Sequence, residues 1–174
     1  MQKLFLTLCL ISGLLIGEEI LYFMPYEQQK ALNHIIALIN GAKSNINISI
    51  YSFTNKEIAK ALKNAGKRGV SVNIIYDKES NTKNPHSTIG YLSKYQNINT
   101  CLLSGLQDHG KKFKGLMHQK MAIIDHLVLI LGSANWSKNA FQNNYETLFM
   151  TSNQAIIQKA LNTFSKMFQQ CQPY

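Results

Sequence analysis

The sequence is almost devoid of arginine. Arg68 is the one arginine among 18 basic residues, which face nine acidic residues and give a formal net charge of +9. Because arginine binds phosphate through paired hydrogen bonds, a phosphate site in this chain has to use lysine, backbone N–H groups and amides instead. The shortage of acidic residues favours a polyanion such as nucleic acid, or an anionic membrane surface, as a partner. The alternative is a basic protein without an anionic ligand.

Cysteine is also scarce. Of the three cysteines, Cys9 lies in the apolar N-terminal segment, which leaves Cys101 and Cys171 in the rest of the chain. None of them has the spacing of a metal site. An oxidising compartment would allow a disulfide between Cys101 and Cys171, and two unpaired core thiols are the alternative.

The chain has no apolar run of full membrane-spanning length. The uncharged run at residues 4–16 follows Lys3 and would extend roughly 20 Å as a helix, against the roughly 30 Å of a bilayer core. A basic residue before a short apolar run is typical of a secretory signal. Residues 1–17 are therefore predicted to be a signal sequence or, because bulky Leu15 makes a poor cleavage site, a retained membrane tether. A buried N-terminal strand or helix is the alternative. The predicted location is the periplasm, or a membrane facing it.

The remaining sequence has the composition of a globular protein. Apolar residues make up 45% of the chain and charged residues 16%, which is enough for a proper core and unlike a disordered chain. No repeat, long linker or low-complexity tract interrupts it. We predict one domain over residues 18–174.

Hydrophobic periodicity alternates between helix and strand. A helix is predicted within residues 27–44 and at 54–69, and strands at 46–53 and 70–77, so that a β-α-β unit implies a parallel pair. The later predicted elements are a polar loop at 78–87, a short helix at 88–95, strands at 98–102, 117–124, 127–132 and 144–151, and an amphipathic helix at 153–170 whose apolar side includes Ile156, Ile157 and Phe164. The predicted fold class is α/β, with a mixed, mostly buried β-sheet flanked by helices on both faces.

One stretch, MHQKMAIIDHLVLILGSANWS at residues 117–137, places polar residues in an apolar context. His118 and Lys120 are two apart, so in a strand they share a face. Asp125 falls on the other face or in the turn. Ser133 and Asn135 again share a face after the second strand. A hairpin would bring the imidazole, the ammonium, the hydroxyl and the amide together.

That set of groups suits attack on phosphorus. A neutral imidazole such as that of His118 is a competent nucleophile, and Lys120 and Asn135 can hold the non-bridging phosphate oxygens. Asp125 is expected to brace the turn. Glu146, on the next strand, could hold the far nitrogen of the histidine and fix its tautomer.

The spacing H-x-K-x4-D-x6-G-S-x-N in this stretch resembles the HKD signature of the phospholipase D superfamily. A short chain with one copy is most similar to the bacterial Nuc-type endonucleases, and the likeness covers most of residues 27–170. The resemblance implies a phospholipase D/nuclease-like fold and a phosphodiesterase that needs no metal or other cofactor and forms a phosphohistidine. It implies His118 as nucleophile, Lys120 and Asn135 on phosphate with Ser133 beside them, and Asp125 and Glu146 as supporting carboxylates.

Displacement at phosphorus also needs a proton donor for the leaving oxygen. His109, in the basic loop, is the best second histidine within the chain, whereas His34, His86 and His126 suit structural or solvated positions. The favoured alternative is a two-fold homodimer in which two copies of His118 share one site.

The loop at residues 104–115 favours nucleic acid as the substrate. Lys111, Lys112 and Lys114 surround Phe113, and lysines with an aromatic side chain suit single strands, with DNA favoured and RNA allowed. Lys78 and Lys83 could extend this track. The competing hypotheses are a phospholipid phosphodiesterase of the same superfamily and a non-catalytic DNA-binding protein of the envelope.

Overall fold

The computed structural model describes residues 19–107, 110 and 114–174. Strands and helices alternate along most of this part. The strands are β1 (Glu19–Met24), β2 (Asn45–Ile50), β3 (Ser71–Asp77), β4 (Ile98–Leu103), β5 (Lys120–Ile124), β6 (Val128–Gly132), β7 (Glu146–Thr151) and β8 (Gln172–Pro173). The helices are α1 (Gln28–Gly41), α2 (Lys56–Lys67), α3 (Lys78–Thr82), α4 (Ile89–Leu92), α5 (Lys138–Gln142) and α6 (Gln154–Gln169).

The strands form one mixed sheet in the order β1-β7-β6-β5-β2-β3-β4-β8. The β2–β3 and β3–β4 pairs are parallel and the other pairs are antiparallel. The parallel β2–α2–β3 unit is the one that the sequence predicted, and the α/β fold class is confirmed.

Both faces of the central strands are buried, which is why these strands read as nearly continuous apolar runs. On β5, Ala122 and Ile124 face a core that α1 and α2 cover, whereas Met121 and Ile123 face a second core beneath α6. This second core contains Ile157 and Phe164 of α6, but Ile156 is 40% exposed, so its predicted place on the apolar side was wrong.

Short elements account for most differences from the predicted pattern. Four were missed, namely β1, α3, α5 and β8. The helices α3 and α5 have five residues each, too few to show a helical period, and β8 has only two residues. The predicted polar loop at 78–87 begins as α3, since the Asp77 side chain accepts from the Ser80 N–H and caps a helical turn. Residues 1–17, predicted as signal or tether, lie outside the described residues. Within the described ranges, no helix is long and apolar enough to cross a bilayer.

The two later cysteines are joined. Cys101 on β4 forms a disulfide with Cys171, which lies between α6 and β8, at a Cα–Cα distance of 5.6 Å. The bond closes a loop with a sequence separation of 70 residues, and in the chain-entropy account a loop of this size stabilises the fold by about 4 kcal/mol. The alternative of two free thiols is thereby excluded for this structure.

Candidate active site

The predicted catalytic residues, with the exception of Asp125, gather at one end of the sheet. The carboxyl ends of β2 and β3 lie there, and because β5 runs antiparallel to β2, Lys120 pairs with Ile50 at the same end. The antiparallel pairing of β5 with β6 and of β6 with β7 places the end of β6 and the start of β7 at this end as well. His118, Lys120, Ser133, Asn135 and Glu146 are thus carried by neighbouring strand ends, which is where ligands bind in sheets of this kind.

His118 and Lys120 are in direct contact. Lys120 Nζ lies 3.0 Å from Nδ1 and 3.2 Å from Nε2 of His118, and it donates a hydrogen bond of 2.8 Å to the His118 carbonyl oxygen. His118 is exposed and precedes β5, so the prediction of a strand from residue 117 was wrong at this end. The pair results from the ammonium folding back onto the preceding loop.

Lys120 is a buried cation. Its side chain belongs to a residue that is 7% exposed, and desolvation by burial lowers its pKa from the usual value, while the charges of Glu146 and Asp77 oppose that shift. A partly desolvated ammonium interacts more strongly with an incoming anion than an ammonium in water.

An aromatic ring that the sequence analysis missed borders this pair. Tyr51, directly after β2, places its ring 4.4 Å from the His118 ring at an interplanar angle of 57°. Lys120 Nζ lies 5.1 Å from the Tyr51 ring centroid, within the range of a cation–π contact. The signal in the sequence was its place one residue past a buried strand.

A buried carboxylate, also missed, anchors the loop that carries His118. Asp77 is 1% exposed, and its Oδ2 accepts the Met117 N–H at 3.0 Å. Its Oδ1 accepts from the Ser80 N–H and hydroxyl, and Ser80 and Asn81 in turn donate to the Tyr51 carbonyl oxygen. Asp77 ends the apolar run of β3, so a charged residue at the carboxyl end of a parallel strand was the available signal.

Ser133 follows a glycine that the fold requires. A Cβ on Gly132 would lie 2.2 Å from the Thr147 carbonyl oxygen, so no larger residue fits where β6 approaches β7. Ser133 continues this pairing, because its N–H donates to Thr147 O and its Oγ accepts from the Thr147 N–H. The hydroxyl is exposed beside the site.

Asn135 is held by its neighbour Trp136. Trp136 is buried, its N–H donates to Ser52 O, and its carbonyl oxygen accepts from the N–H groups of Thr54 and Asn55. The Asn135 Oδ1 is buried and makes no hydrogen bond within the described part of the chain. An unpaired buried acceptor costs about 1–3 kcal/mol. Phosphate oxygens are themselves acceptors, so only the Nδ2 N–H groups of this amide could donate to them.

Glu146 does not contact His118 in the way that the sequence analysis anticipated. Its Oε1 accepts from Asn144 Nδ2 at 3.3 Å, and no hydrogen bond joins it to His118 among the described residues. Its carboxylate lies close enough to raise the pKa of Lys120 against the effect of burial. Glu146 is therefore placed to balance part of the positive charge of Lys120.

Asp125 lies at the opposite end of β5, roughly 16 Å along the strand from Lys120. Its carboxylate accepts hydrogen bonds from the backbone N–H groups of residues 43–45 and from the Ser44 hydroxyl. Burial alone would raise the pKa of Asp125, but these hydrogen bonds outweigh it and lower the pKa. Asp125 therefore braces the β5–β6 turn, where Asp125 and His126 both have a positive φ, and it does not reach His118.

The predicted basic loop lies largely outside the described residues. Lys111, Lys112, Phe113 and the candidate His109 fall there, and Lys114 is exposed. The two lysines proposed to extend the track are partnered, since Lys78 donates to Gln172 and Lys83 pairs with Glu79.

The other histidines have separate surroundings. His34 Nδ1 lies 2.9 Å from the Tyr22 hydroxyl, and His86 and His126 are exposed in a loop and a turn. In the described part of the chain, no three His, Cys, Asp or Glu side chains are grouped as they would be to hold a metal ion.

Comparison with known proteins identifies relatives of this arrangement. Residues 35–168 match the family described as "Cardiolipin synthase, PLD-like domain". The chain is 29% identical over 145 residues to mitochondrial cardiolipin hydrolase from Homo sapiens, covering 83% of this chain and 54% of that protein, and it is 28% identical over 150 residues to the Mus musculus protein, of which it covers 63%. The chain therefore spans about half to two thirds of the length of these curated relatives.

Solved structures extend the similarity over the whole fold. The structure titled "NucT from Helicobacter pylori" has a TM-score of 0.89 and 49% identity, covering 91% of this chain and 99% of that one. The structure titled as a phospholipase D family member, Nuc from Salmonella typhimurium, has a TM-score of 0.77 and 26% identity, covering 91% of this chain and 98% of that one.

Proposed function

This chain belongs to the phospholipase D-like domain family, and we propose that it is a metal-independent phosphodiesterase that cleaves nucleic acid, with single-stranded DNA as the favoured substrate. The observation that carries the proposal is the contact between an exposed imidazole and a buried ammonium, His118 and Lys120, at the ligand-binding end of the sheet. This contact supports the proposal, because it sets the candidate nucleophile and an anion-stabilising cation within one hydrogen-bond length of each other.

The proposed reaction has two displacements at phosphorus. A ring nitrogen of His118 attacks, a P–N bond forms, and the P–O bond to the leaving oxygen breaks while a general acid gives that oxygen a proton. Water then attacks phosphorus, the P–N bond breaks, and the conjugate base takes the proton of the water. Lys120 and the Asn135 amide hold the non-bridging oxygens throughout and offset the charge that develops on them.

The general acid is proposed to be His118 of the partner subunit in a two-fold homodimer. An uncovered apolar surface next to the site supports a second copy. α6 packs over β2, β5 and β6, and beyond it the same face of β1 presents Leu21 at 48% and Phe23 at 51% exposure. Tyr26 and Tyr145, 79% and 81% exposed, continue this surface up to Ser133 and Glu146. Contiguous exposed apolar residues of this kind mark association sites.

Nucleic acid is preferred over lipid as the substrate because of the charge of the chain and its likeness to Nuc-type endonucleases. The net charge of +9 and the likeness to Nuc-type endonucleases both favour a polyanionic strand. The relatives called mitochondrial cardiolipin hydrolase favour a second candidate, a phospholipid phosphodiesterase. The third hypothesis, a non-catalytic envelope DNA-binding protein, is disfavoured by the intact His118–Lys120 pair.

One assay separates these candidates. In parallel reactions that all contain EDTA, the purified protein is incubated with single-stranded DNA, duplex DNA, RNA or cardiolipin vesicles. We expect chelator-resistant cleavage of nucleic acid, fastest on single-stranded DNA. Turnover of lipid alone would support the second candidate, binding of DNA without turnover would support the third, and activity that EDTA abolishes and a divalent ion restores would refute the metal-independent mechanism.

The location of the protein is also proposed. The disulfide between Cys101 and Cys171 supports an oxidising compartment, because thiols in the cytosol are kept reduced. Together with the signal-like residues 1–17, it favours export to the periplasm, with the N-terminal segment either removed or retained as a tether to the membrane.

A further inference from the structure

Helix α2 carries a row of lysines that the proposed mechanism does not use. Lys56, Lys60, Lys63 and Lys67 recur every three or four residues, so they lie on one side of the helix. The opposite side, which includes Ile58 and Leu62, is buried in the core. The row extends about 16 Å at 1.5 Å per residue.

A groove separates this row from a neighbouring segment. Lys56, Lys60 and Lys63 line one wall, and His86 and Tyr91 line the other, around a space of about 490 Å³. We call this feature the lysine groove. The Tyr91 side chain is 39% exposed there, and its far side packs against Tyr95 at a ring-centroid distance of 5.3 Å. An aromatic ring thus stands beside the cations.

No carboxylate in the described part of the chain neutralises the charges of the lysine groove. Within the described ranges, no carboxylate lies within 4.0 Å of a lysine ammonium of α2, whereas Lys83 pairs with Glu79 at 3.7 Å. Glu57, the acidic residue of α2, makes no ion pair with Lys60. Lys63 instead contacts the ring of Tyr95, with its Nζ 5.9 Å from the centroid. The groove therefore presents a row of cations to solvent.

Both walls of the lysine groove lead to the candidate active site. On the α2 side, the N-cap Asn55 donates its N–H to the carbonyl oxygen of Trp136, the residue after Asn135. On the other side, Ser87 donates to Asn81, and Asn81 donates to the carbonyl oxygen of Tyr51, whose ring contacts His118. The two walls of the groove thus begin at residues that are connected by hydrogen bonds to the segment after Asn135 and to Tyr51.

We propose that the lysine groove binds the single-stranded segment of nucleic acid that extends from the scissile phosphate. This inference rests on the proposed function and names the surface that follows the strand. Lysines spaced along a groove can pair with successive phosphates, and Tyr91 and His86 offer rings for base stacking, which is how non-sequence-specific single-strand sites work. At 3.4 Å per nucleotide for a stacked strand, the row would accommodate roughly five nucleotides.

The test compares two variants with the same loss of charge and the same spacing. K56Q/K63Q removes two lysines that line the groove, and K159Q/K166Q removes two exposed lysines of α6, on the other face of the sheet. Turnover is measured on single-stranded DNA of about 20 nucleotides and of about four, and binding of the longer strand is measured as a function of salt in an H118A background. A third variant, Y91A, tests stacking.

For K56Q/K63Q we expect the KM for the long strand to rise about tenfold at physiological salt and the slope of log affinity against log salt to fall by about 1.4. The kcat on the long strand and the turnover of the short strand are expected to be unaffected. Y91A should raise the KM for the long strand about fivefold with no change in the salt slope. K159Q/K166Q should behave as wild type.

Equal binding of the long strand by the two lysine variants would overturn the inference. The inference would also be overturned if K56Q/K63Q lost binding to anionic phospholipid vesicles but kept its binding to DNA, because that result would assign the groove to a membrane surface. If wild type cleaves neither strand, the proposed function fails, and the H118A binding data still decide whether the groove contacts nucleic acid.

Discussion

At the scale of single residues, the site depends on two buried charges that serve different ends. The ammonium of Lys120 contacts the imidazole of His118 on one side and the ring of Tyr51 on another. The carboxylate of Asp77 accepts hydrogen bonds from the loop before His118 and from the first turn of α3. In the proposed reaction the first contacts the substrate, whereas the second positions the backbone.

The titration of Lys120 should appear in the pH dependence of the reaction. Burial lowers its pKa below 10.5, and only the protonated form can hold phosphate oxygens, so kcat should fall as the pH rises through that lowered value. K120R keeps its charge and should lack this fall, with a lower rate because a guanidinium is shaped differently. Circular dichroism at each pH checks that the fold persists, and an unchanged alkaline fall in K120R would refute the assignment.

The same burial has a consequence for stability. Since the folded pKa of Lys120 is lower than the unfolded one, the unfolded chain binds this proton more tightly. Protonated Lys120 therefore costs stability below the folded pKa, and the cost is relieved as the pH rises toward the unfolded value.

Replacing Asp77 by Asn should separate positioning from chemistry. The amide has one fewer acceptor for the N–H of Met117 or Ser80, so we expect a loss of about 1–3 kcal/mol in the free energy of unfolding. We also expect kcat to fall with KM nearly unchanged. E79Q, a neighbouring exposed carboxylate, is the control and should change neither quantity. Loss of stability with full kcat would leave Asp77 a structural role alone.

At the scale of elements, the β5–β6 hairpin is anchored at one end and carries candidate site residues at the other. At the fixed end, Asp125 and His126 turn the chain with positive φ, and Asp125 joins the turn to the start of β2. At the other end, the strands carry the candidate site residues Lys120 and, past Gly132, Ser133 and Asn135. The register of the hairpin thus decides which residues meet.

Removing the Asp125 carboxylate should weaken the fold and leave the chemistry intact. D125N is expected to lower the free energy of unfolding by about 2–3 kcal/mol at neutral pH, because charge-assisted hydrogen bonds are lost. Since the folded pKa of Asp125 is lowered below 3.8, its contribution is present above the unfolded pKa and disappears as the pH falls through the folded one. Urea unfolding of both proteins at several pH values should therefore converge in acid. A fall in kcat of the folded variant would contradict this assignment.

At the scale of the whole molecule, one chain supplies one proposed nucleophile, His118, and no second histidine beside it among the described residues. His34 is hydrogen-bonded to Tyr22, and His109 lies outside the described residues. The apolar surface of Leu21, Phe23, Tyr26 and Tyr145 adjoins the same end of the sheet. A second copy on that surface would cover it and bring two sites together.

A mixed dimer tests this arrangement directly. Wild-type and H118A chains are expressed together with different tags, and the heterodimer is purified through both. If one site uses both imidazoles, the heterodimer should lose turnover by at least about a hundredfold, because a general acid alone contributes on that order. DNA binding should persist. A heterodimer with half the wild-type activity would show that each chain works alone.

The sequence by itself determined the order of the long elements and four of the candidate site residues. Apolar periodicity is local, so it marked β2, α2, β3 and α6, and the spacing of the HKD stretch singled out His118, Lys120, Ser133 and Asn135. Short elements such as β1 and α5 escaped because their stability comes from pairing and packing with distant residues, which no local period records.

Only the tertiary structure decided which polar groups meet across the chain. Tyr51 reaches His118, and Asp77 reaches the N–H of Met117 just before it, because parallel strands end at a common edge. Asp125 is excluded because β5 carries it to the opposite edge. The pairing of Cys101 with Cys171 and the approach of residues 85–91 to α2 depend likewise on contacts between distant segments. Spacing along the chain sets which side chains share a face, but sheet order and register set the distances between them.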